Sequence, residues 1–204
     1  MRAFLFPLHK VSYQAILRKP LNIFEPRYIR MIHDAEMEGV PVALTYANLG
    51  QHASADHGSI PIEHEKYGSV RRITGLGRVQ ILQKSKDGSM LVVLEPFAKG
   101  EIISIYNEDA PYNTIEVENI PEFLTVMPEH MISLQKLQLV FREWAKSFFK
   151  NQAEYDALME AAEDPIVLVG AITEFVITSP DLKQGILEID DINAKIDVLL
   201  EWIN

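Results

Sequence analysis

The chain is predicted to be an α+β protein. An antiparallel barrel of short strands with one inserted helix fills residues 1–120, and an α-helical bundle fills residues 121–204. Three observations predict this. Apolar residues recur at period two or in short runs up to about residue 120, and at period 3.6 beyond Pro128. Turn-forming residues gather at 107–111 and again at 119–128, where the period changes. Charge divides at the same place: residues 1–120 hold 13 basic and 14 acidic side chains, and residues 121–204 hold 6 and 15.

Each element has its own signal. Residues 3–8 form an apolar run ending around Pro7, and residues 21–24 are held extended by Pro20 and Pro26. Pro26 suits a first helical position, and Tyr28, Ile29, Met31, Ile32, Ala35 and Met37 form one apolar face that stops before Gly39. Residues 40–47 and the β-branched stretch 70–83 read as strands, and Asp87-Gly88 makes a hairpin turn into residues 90–94. Residues 102–106 and 112–117 complete a set of about six or seven strands, with Glu116 and Glu118 facing outward on either side of Val117. So few strands, tightly turned, suggest a small closed or half-open barrel.

In the second half, Met131, Leu134, Leu137, Phe141, Trp144, Ala145 and Phe148 lie on one helical face. A second helix is expected over 156–162. Asp164-Pro165 opens a third over 166–177. Ser179-Pro180-Asp181 caps a fourth, carrying Leu182, Ile186, Ile189, Ile192, Ile196, Leu199 and Leu200.

Composition narrows the chemistry. With 48% apolar and 24% charged residues, the 204-residue chain can bury a core in each half. It has no cysteine, which excludes disulfides, thiolate metal sites and cysteine nucleophiles. No secretory h-region follows Met1, and the longest apolar stretch, 166–172, is far short of the ~20 residues that span a bilayer, so a cytoplasmic protein is expected. A net charge of −10 disfavours nucleic acid and anionic membrane as partners.

No catalytic constellation emerges. Gly75-Leu-Gly77-Arg-Val-Gln80 lacks the third glycine of a dinucleotide fingerprint and sits in a strand, where glycines ease a bend or bulge. There is no Walker loop and no Gly-x-Ser-x-Gly elbow. His52, Asp56, His57 and His64 share one polar loop, which is either a solvated connection or an imidazole–carboxylate metal site; the solvated loop is preferred. Glu63/Glu65 and Asp190/Asp191 read as solvated carboxylates, and Arg71, Arg72 and Arg78 as solvent-facing strand positions. Trp144, Phe148, Phe149 and Trp202 belong either to the bundle core or to an exposed groove that receives peptide.

Phe4-Leu-Phe-Pro-Leu8, followed by Pro20-Leu-Asn-Ile-Phe-Glu-Pro-Arg-Tyr28, resembles the N-terminal substrate-binding domain of Lon proteases. Gly68-Ser-Val70, the turn at Asp87-Gly88, Leu94-Glu-Pro-Phe-Ala-Lys99, Pro111-Tyr112 with Val117-Glu118, and Asp181-Leu-Lys-Gln-Gly-Ile-Leu-Glu188 continue the likeness along nearly the whole chain. Ser12-Tyr-Gln-Ala15 departs from it, standing where the family has Pro-Gly, and Lys99 stands near a usual arginine. The resemblance implies a PUA-like barrel followed by a helical bundle. It also implies a free-standing domain of the kind found in bacteria, without the ATPase and Ser-Lys peptidase modules.

Function read this way is binding, not cutting. The block and the missing catalytic motifs together point to a non-catalytic module for unfolded or partner protein segments; no cofactor and no metal are expected, and a homo-oligomer is left open. In the block, Phe24 is expected to fill the barrel core, Tyr28 to pack the helix on the sheet, and Glu25 and Arg27 to pair. The candidate peptide-binding residues are Phe24, Glu25, Arg27, Tyr28, Trp144 and Phe148. Two alternatives are an enzyme using the His52/His57/His64 loop and a PUA-like RNA binder.

Overall fold

The computed structural model describes residues 1–49, 58–64, 66–107 and 109–203. The chain divides into two compact units, Met1–Ile120 and Pro121–Asn204.

In the first unit the strands are β1 (Arg2–His9), β2 (Lys19–Ile23), β3 (Val42–Leu49), β4 (Ser59–Pro61), β5 (Tyr67–Arg71), β6 (Ile73–Lys84), β7 (Met90–Tyr106) and β8 (Thr114–Asn119). They follow the order β1-β8-β7-β6-β3-β5-β4, and a β1–β3 pairing closes β1, β8, β7, β6 and β3 into a ring. The closing pair is parallel, Phe4 opposite Val42 through His9 opposite Ala47. All the other pairings are antiparallel. A parallel pair requires a crossover, supplied here by β2 and α1 (Pro26–Glu38).

α1 begins with proline at its first turn and ends at Gly39, whose φ of 67° is the left-handed stop. Its buried face, Tyr28, Met31, Ile32 and Ala35, packs with Phe4, Phe6, Ile23, Val42, Leu44, Val92 and Leu94 in one core. Ala3, Leu5, Ala43, Ala47, Leu76, Ile102, Ile115 and Val117 form another. β7 runs unbroken through 17 residues, joining two stretches that read as separate strands in the sequence. It can do so because its first part pairs with β2 and its last part with β8. Gly88 sits at φ 88° in the β6–β7 turn, where Asp87 Oδ1 accepts the Ser89 N–H at 3.0 Å. Between β1 and β2, Lys10 and Ala15 both turn left-handed, each at φ 53°.

Gly75 has a specific reason. A Cβ there would lie 1.9 Å from the Tyr13 carbonyl oxygen, and one at Gly77 would lie 2.7 Å from Leu94 Cβ. The loop through Tyr13 lies directly on β6, with the Tyr13 hydroxyl donating to Leu94 O at 3.1 Å. The β6–β7 register shifts between Leu76 and Gly77, the bulge expected from the glycines.

The second unit contains α2 (Met131–Phe148), α3 (Gln152–Ala161), α4 (Pro165–Ala171), α5 (Pro180–Glu188) and α6 (Ile192–Ile203). Leu134, Leu137 and Phe141 of α2, Leu168 of α4, Ile186 of α5 and Ile196 and Leu199 of α6 are all buried. Asn151, Asp164 and Ser179 cap α3, α4 and α5 through their side chains. α3 thus starts four residues before the Asp156 expected from the sequence, because Asn151 caps it.

The single long helix expected after Ser179 is two helices. Ile189 turns extended, with ψ 135°, and Asp191 Oδ1 then accepts the Asn193 N–H at 2.8 Å, opening α6. In the break the chain pairs with Phe123, whose N–H reaches Asp190 O at 2.8 Å and whose carbonyl takes the Ile192 N–H at 2.9 Å. Beside it Lys195 Nζ meets Glu122 Oε1 at 2.5 Å, both side chains largely buried.

Candidate functional site

The proline-bounded block places Glu25 at the mouth of α1. Arg27 donates to Glu25 Oε2 from Nε at 3.2 Å and from Nη2 at 2.9 Å, and Lys66 Nζ approaches Oε1 at 3.3 Å. Burial works against the charge on Glu25. The hydrogen bonds from Arg27 and Lys66 outweigh it and hold the carboxyl below its ordinary value.

Tyr28 is the keystone of this corner. It is buried, its ring meets Phe6 edge-on at 4.6 Å, and the Arg27 guanidinium stands over it at 5.0 Å. His64 Nδ1 accepts the Lys66 N–H at 3.1 Å, so in the neutral ring the proton is on Nε2, which donates to the Tyr28 hydroxyl at 3.0 Å. His64 also stacks on Tyr67 at 4.6 Å. The expected Glu25–Arg27 pairing and the packing of Tyr28 on the sheet are both present.

Phe24 does not fill the core as expected; it is 69% exposed. The reason is strand parity. Ile23 points inward, so the next residue points out, just before the chain turns at Glu25-Pro26. Beside Phe24 a cleft of about 90 Å³ is walled by Phe6, Leu8, Leu21, Ile23 and Tyr28. A wider cavity, about 370 Å³, is also lined by Tyr28, with Arg27, His64, Asn107 and Tyr112 among others. Burial, and secondarily a 2.5 Å bond to Asp34 Oδ2, push the Tyr112 phenol above its ordinary value.

In the helical unit, Phe141, Trp144 and Phe148 lie on one face of α2 at spacings of three and four. Trp144 stacks on Phe141 at 5.6 Å, on Phe148 at 4.8 Å and on Phe175 at 6.0 Å, all nearly parallel. Phe149 meets Trp144 and Phe148 edge-on. Only Phe141 is fully buried; Phe148 is 62% and Phe175 43% exposed. The ladder therefore starts in the core and ends at the surface. Trp202 is not among its ring contacts.

Phe175 escaped the sequence reading because its placement depends on a π-turn, Ile172–Val176. There the Ile177 N–H reaches Ile172 O at 3.1 Å, and Thr173 Oγ1 donates to Val169 O at 2.7 Å. One extra residue in the turn shifts every later side chain around the helix. Thr173 is the available signal: a hydroxyl inside an apolar helix that bonds back onto the preceding turn.

The other sequence candidates carry less. His52, Asp56, His57 and Glu65 lie outside the described residues. Among the described residues no three His, Cys, Asp or Glu side chains gather as metal ligands. Arg78 stands over the Phe97 ring at 4.4 Å, and Arg72 lies 3.8 Å from Glu101. Among the described residues no helix is long and apolar enough to cross a membrane.

A helix-bearing β-barrel with a helical bundle is the architecture of Lon N-terminal domains. The fold matches the Lon N-terminal domain protein of Xanthomonas campestris with a TM-score of 0.67, at 17% identity over 99% of this chain and 98% of that one. It matches the N-terminal domain of the Mycobacterium avium complex Lon protease equally well, at 13% identity over 99% and 97%. The model of the ATP-dependent protease La (LON) substrate-binding domain matches residues 17–204, and the chain belongs to that family. It is 25% identical to Lon protease 2 of Desulfotalea psychrophila over 97% of its own length and 24% of that protein's. It is 26% identical to the Lon protease of Acinetobacter baumannii over 70% of its own length and 17% of that protein's. The chain thus spans about a quarter or less of the curated relatives it matches.

Proposed function

We propose that this chain is a non-catalytic module that binds unfolded or partner protein segments. The observation that carries the reading is the aromatic ladder Phe141–Trp144–Phe148 with Phe175, which runs from the core to an exposed end. Large rings held flat by stacking offer apolar area without having to be ordered first. Phe24, exposed beside the cleft on the barrel, is a second contact, while Glu25, Arg27 and Tyr28 brace the corner that holds it. The helical unit, with 6 basic and 15 acidic residues, favours segments that join apolar to basic side chains over nucleic acid. Membership in a substrate-binding family supports the same reading, and that family's cytoplasmic setting in bacteria supports a cytoplasmic protein.

Fluorescence anisotropy of a labelled unfolded protein tests it. Phe148→Ala is expected to weaken binding about tenfold, or about 1.4 kcal/mol, with Trp144→Ala at least as damaging. Phe148 is exposed, so its loss leaves the circular dichroism and melting temperature unchanged. Unaltered affinity in Phe148→Ala would remove the ladder from the site.

A further inference from the structure

Strand β2 is an edge. Among the described residues it pairs with β7 alone, Lys19 opposite Leu94 through Ile23 opposite Met90. Pro20 has no N–H, so its pair with Val93 is the kind that exchanges no hydrogen bonds. Bonding alternates along an antiparallel ladder, so Leu21 and Ile23 bond toward β7 while the N–H and C=O of Asn22 point away from it. Among the described residues no backbone hydrogen bond from another element meets Asn22. Pro20 and Asn22 are exposed. A main-chain donor and acceptor standing outward at strand spacing are complementary to an extended polypeptide, and to little else.

The apolar cleft lies beside this edge. Phe6 and Leu8 of β1, Leu21 and Ile23 of β2, and Phe24 and Tyr28 wall a space of about 90 Å³. A cavity of ~150 Å³ accepts benzene, so this one suits a single branched aliphatic side chain and not a large ring. A strand added to β2 sends alternate side chains to one face, which is the arrangement needed to drop one of them into the cleft.

We propose that the β2 edge binds a client segment by strand addition, with Asn22 making the main-chain hydrogen bonds and one aliphatic side chain filling the Phe6–Leu21–Phe24 cleft. This rests on the peptide-binding reading above and adds its mode: recognition of extended segments with alternating aliphatic residues.

The probe is a fluorescein-labelled peptide of alternating valine and threonine with lysine at each end, titrated into the full chain. Asn22→Pro removes the outward N–H and keeps the ladder to β7, because Asn22 donates nothing to β7. The variant is expected to bind at least about tenfold more weakly with an unchanged melting temperature. In the wild-type protein, exchange of the Asn22 amide slows when the peptide is present. Should Asn22→Pro fail to fold, the same peptide with alternate amides N-methylated replaces it, and weaker binding of that peptide is the expected result.

Equal binding of the methylated and unmethylated peptides, or by Asn22→Pro and wild type, overturns strand addition. If Phe148→Ala then abolishes that binding, the broader reading stands without it. Absence of any binding by wild type overturns both. A wild-type dimer that dissociates in Asn22→Pro without peptide would assign the edge to a second copy, and would also overturn the proposal.

Discussion

Glu25 lies between two cations, with Arg27 on one carboxylate oxygen and Lys66 on the other. A carboxyl held below its unfolded value stabilises the fold at pH above that unfolded value and loses the contribution as pH falls through the folded one. Wild type is therefore expected to melt above Glu25→Gln near neutral pH, with the gap closing as pH falls below the ordinary carboxylate range. Thermal melts of both proteins from about pH 7 to about pH 3 check this. Gly75 poses a steric question of the same scale. Gly75→Ala is expected to destabilise by at least about 2 kcal/mol in denaturant titration, because the new methyl meets a carbonyl that cannot retreat without lifting the Tyr13 loop. The Glu25–Arg27 pair was legible in the sequence because the partners are two residues apart. The need for Gly75 was only half legible: a bend in a strand could be read, but not the loop lying on it. Phe24 shows where residue type misleads, since an aromatic in a family block reads as core until strand parity places it outside.

At the scale of elements, local chemistry carried most of the boundaries. Pro26 and Gly39 bracket α1, Asp87-Gly88 turns β6 into β7, and Asp164 opens α4. The cap is expected to matter by the usual amount: Asp164→Ala should cost about 1 kcal/mol in chemical denaturation, with the Ile166 N–H left without its acceptor. What stayed hidden was decided by distant partners. The parallel β1–β3 closure depends on a crossover through α1, which no local pattern encodes. The division of α5 from α6 depends on Phe123 bonding into the break. The π-turn that carries Phe175 to Trp144 is the local exception, marked in the sequence only by one hydroxyl, Thr173, within an apolar run. The open edge of β2 was partly encoded, since Pro20 cannot sit in a central strand, but the missing neighbour is a fact of topology.

For the whole molecule, the division of charge and of hydrophobic period near residue 120 coincides with the boundary between units at Ile120 and Pro121. Only the second unit is strongly acidic, so net charge speaks to the surroundings of the aromatic ladder and not to the barrel, where the Pro20–Tyr28 block lies. Fold and family could be read from that block, while the exposed end of the ladder and the β2 edge are set by tertiary packing that no local pattern carries. The proposed function is binding of unfolded polypeptide. Its most direct test is anisotropy titration of the full chain into a permanently unfolded, fluorescein-labelled protein, alongside the same protein natively folded. Saturable binding of the unfolded form, at least about tenfold tighter than of the folded one, is expected. Linear, non-saturating signals up to high micromolar concentration, or equal affinity for both forms, would contradict it.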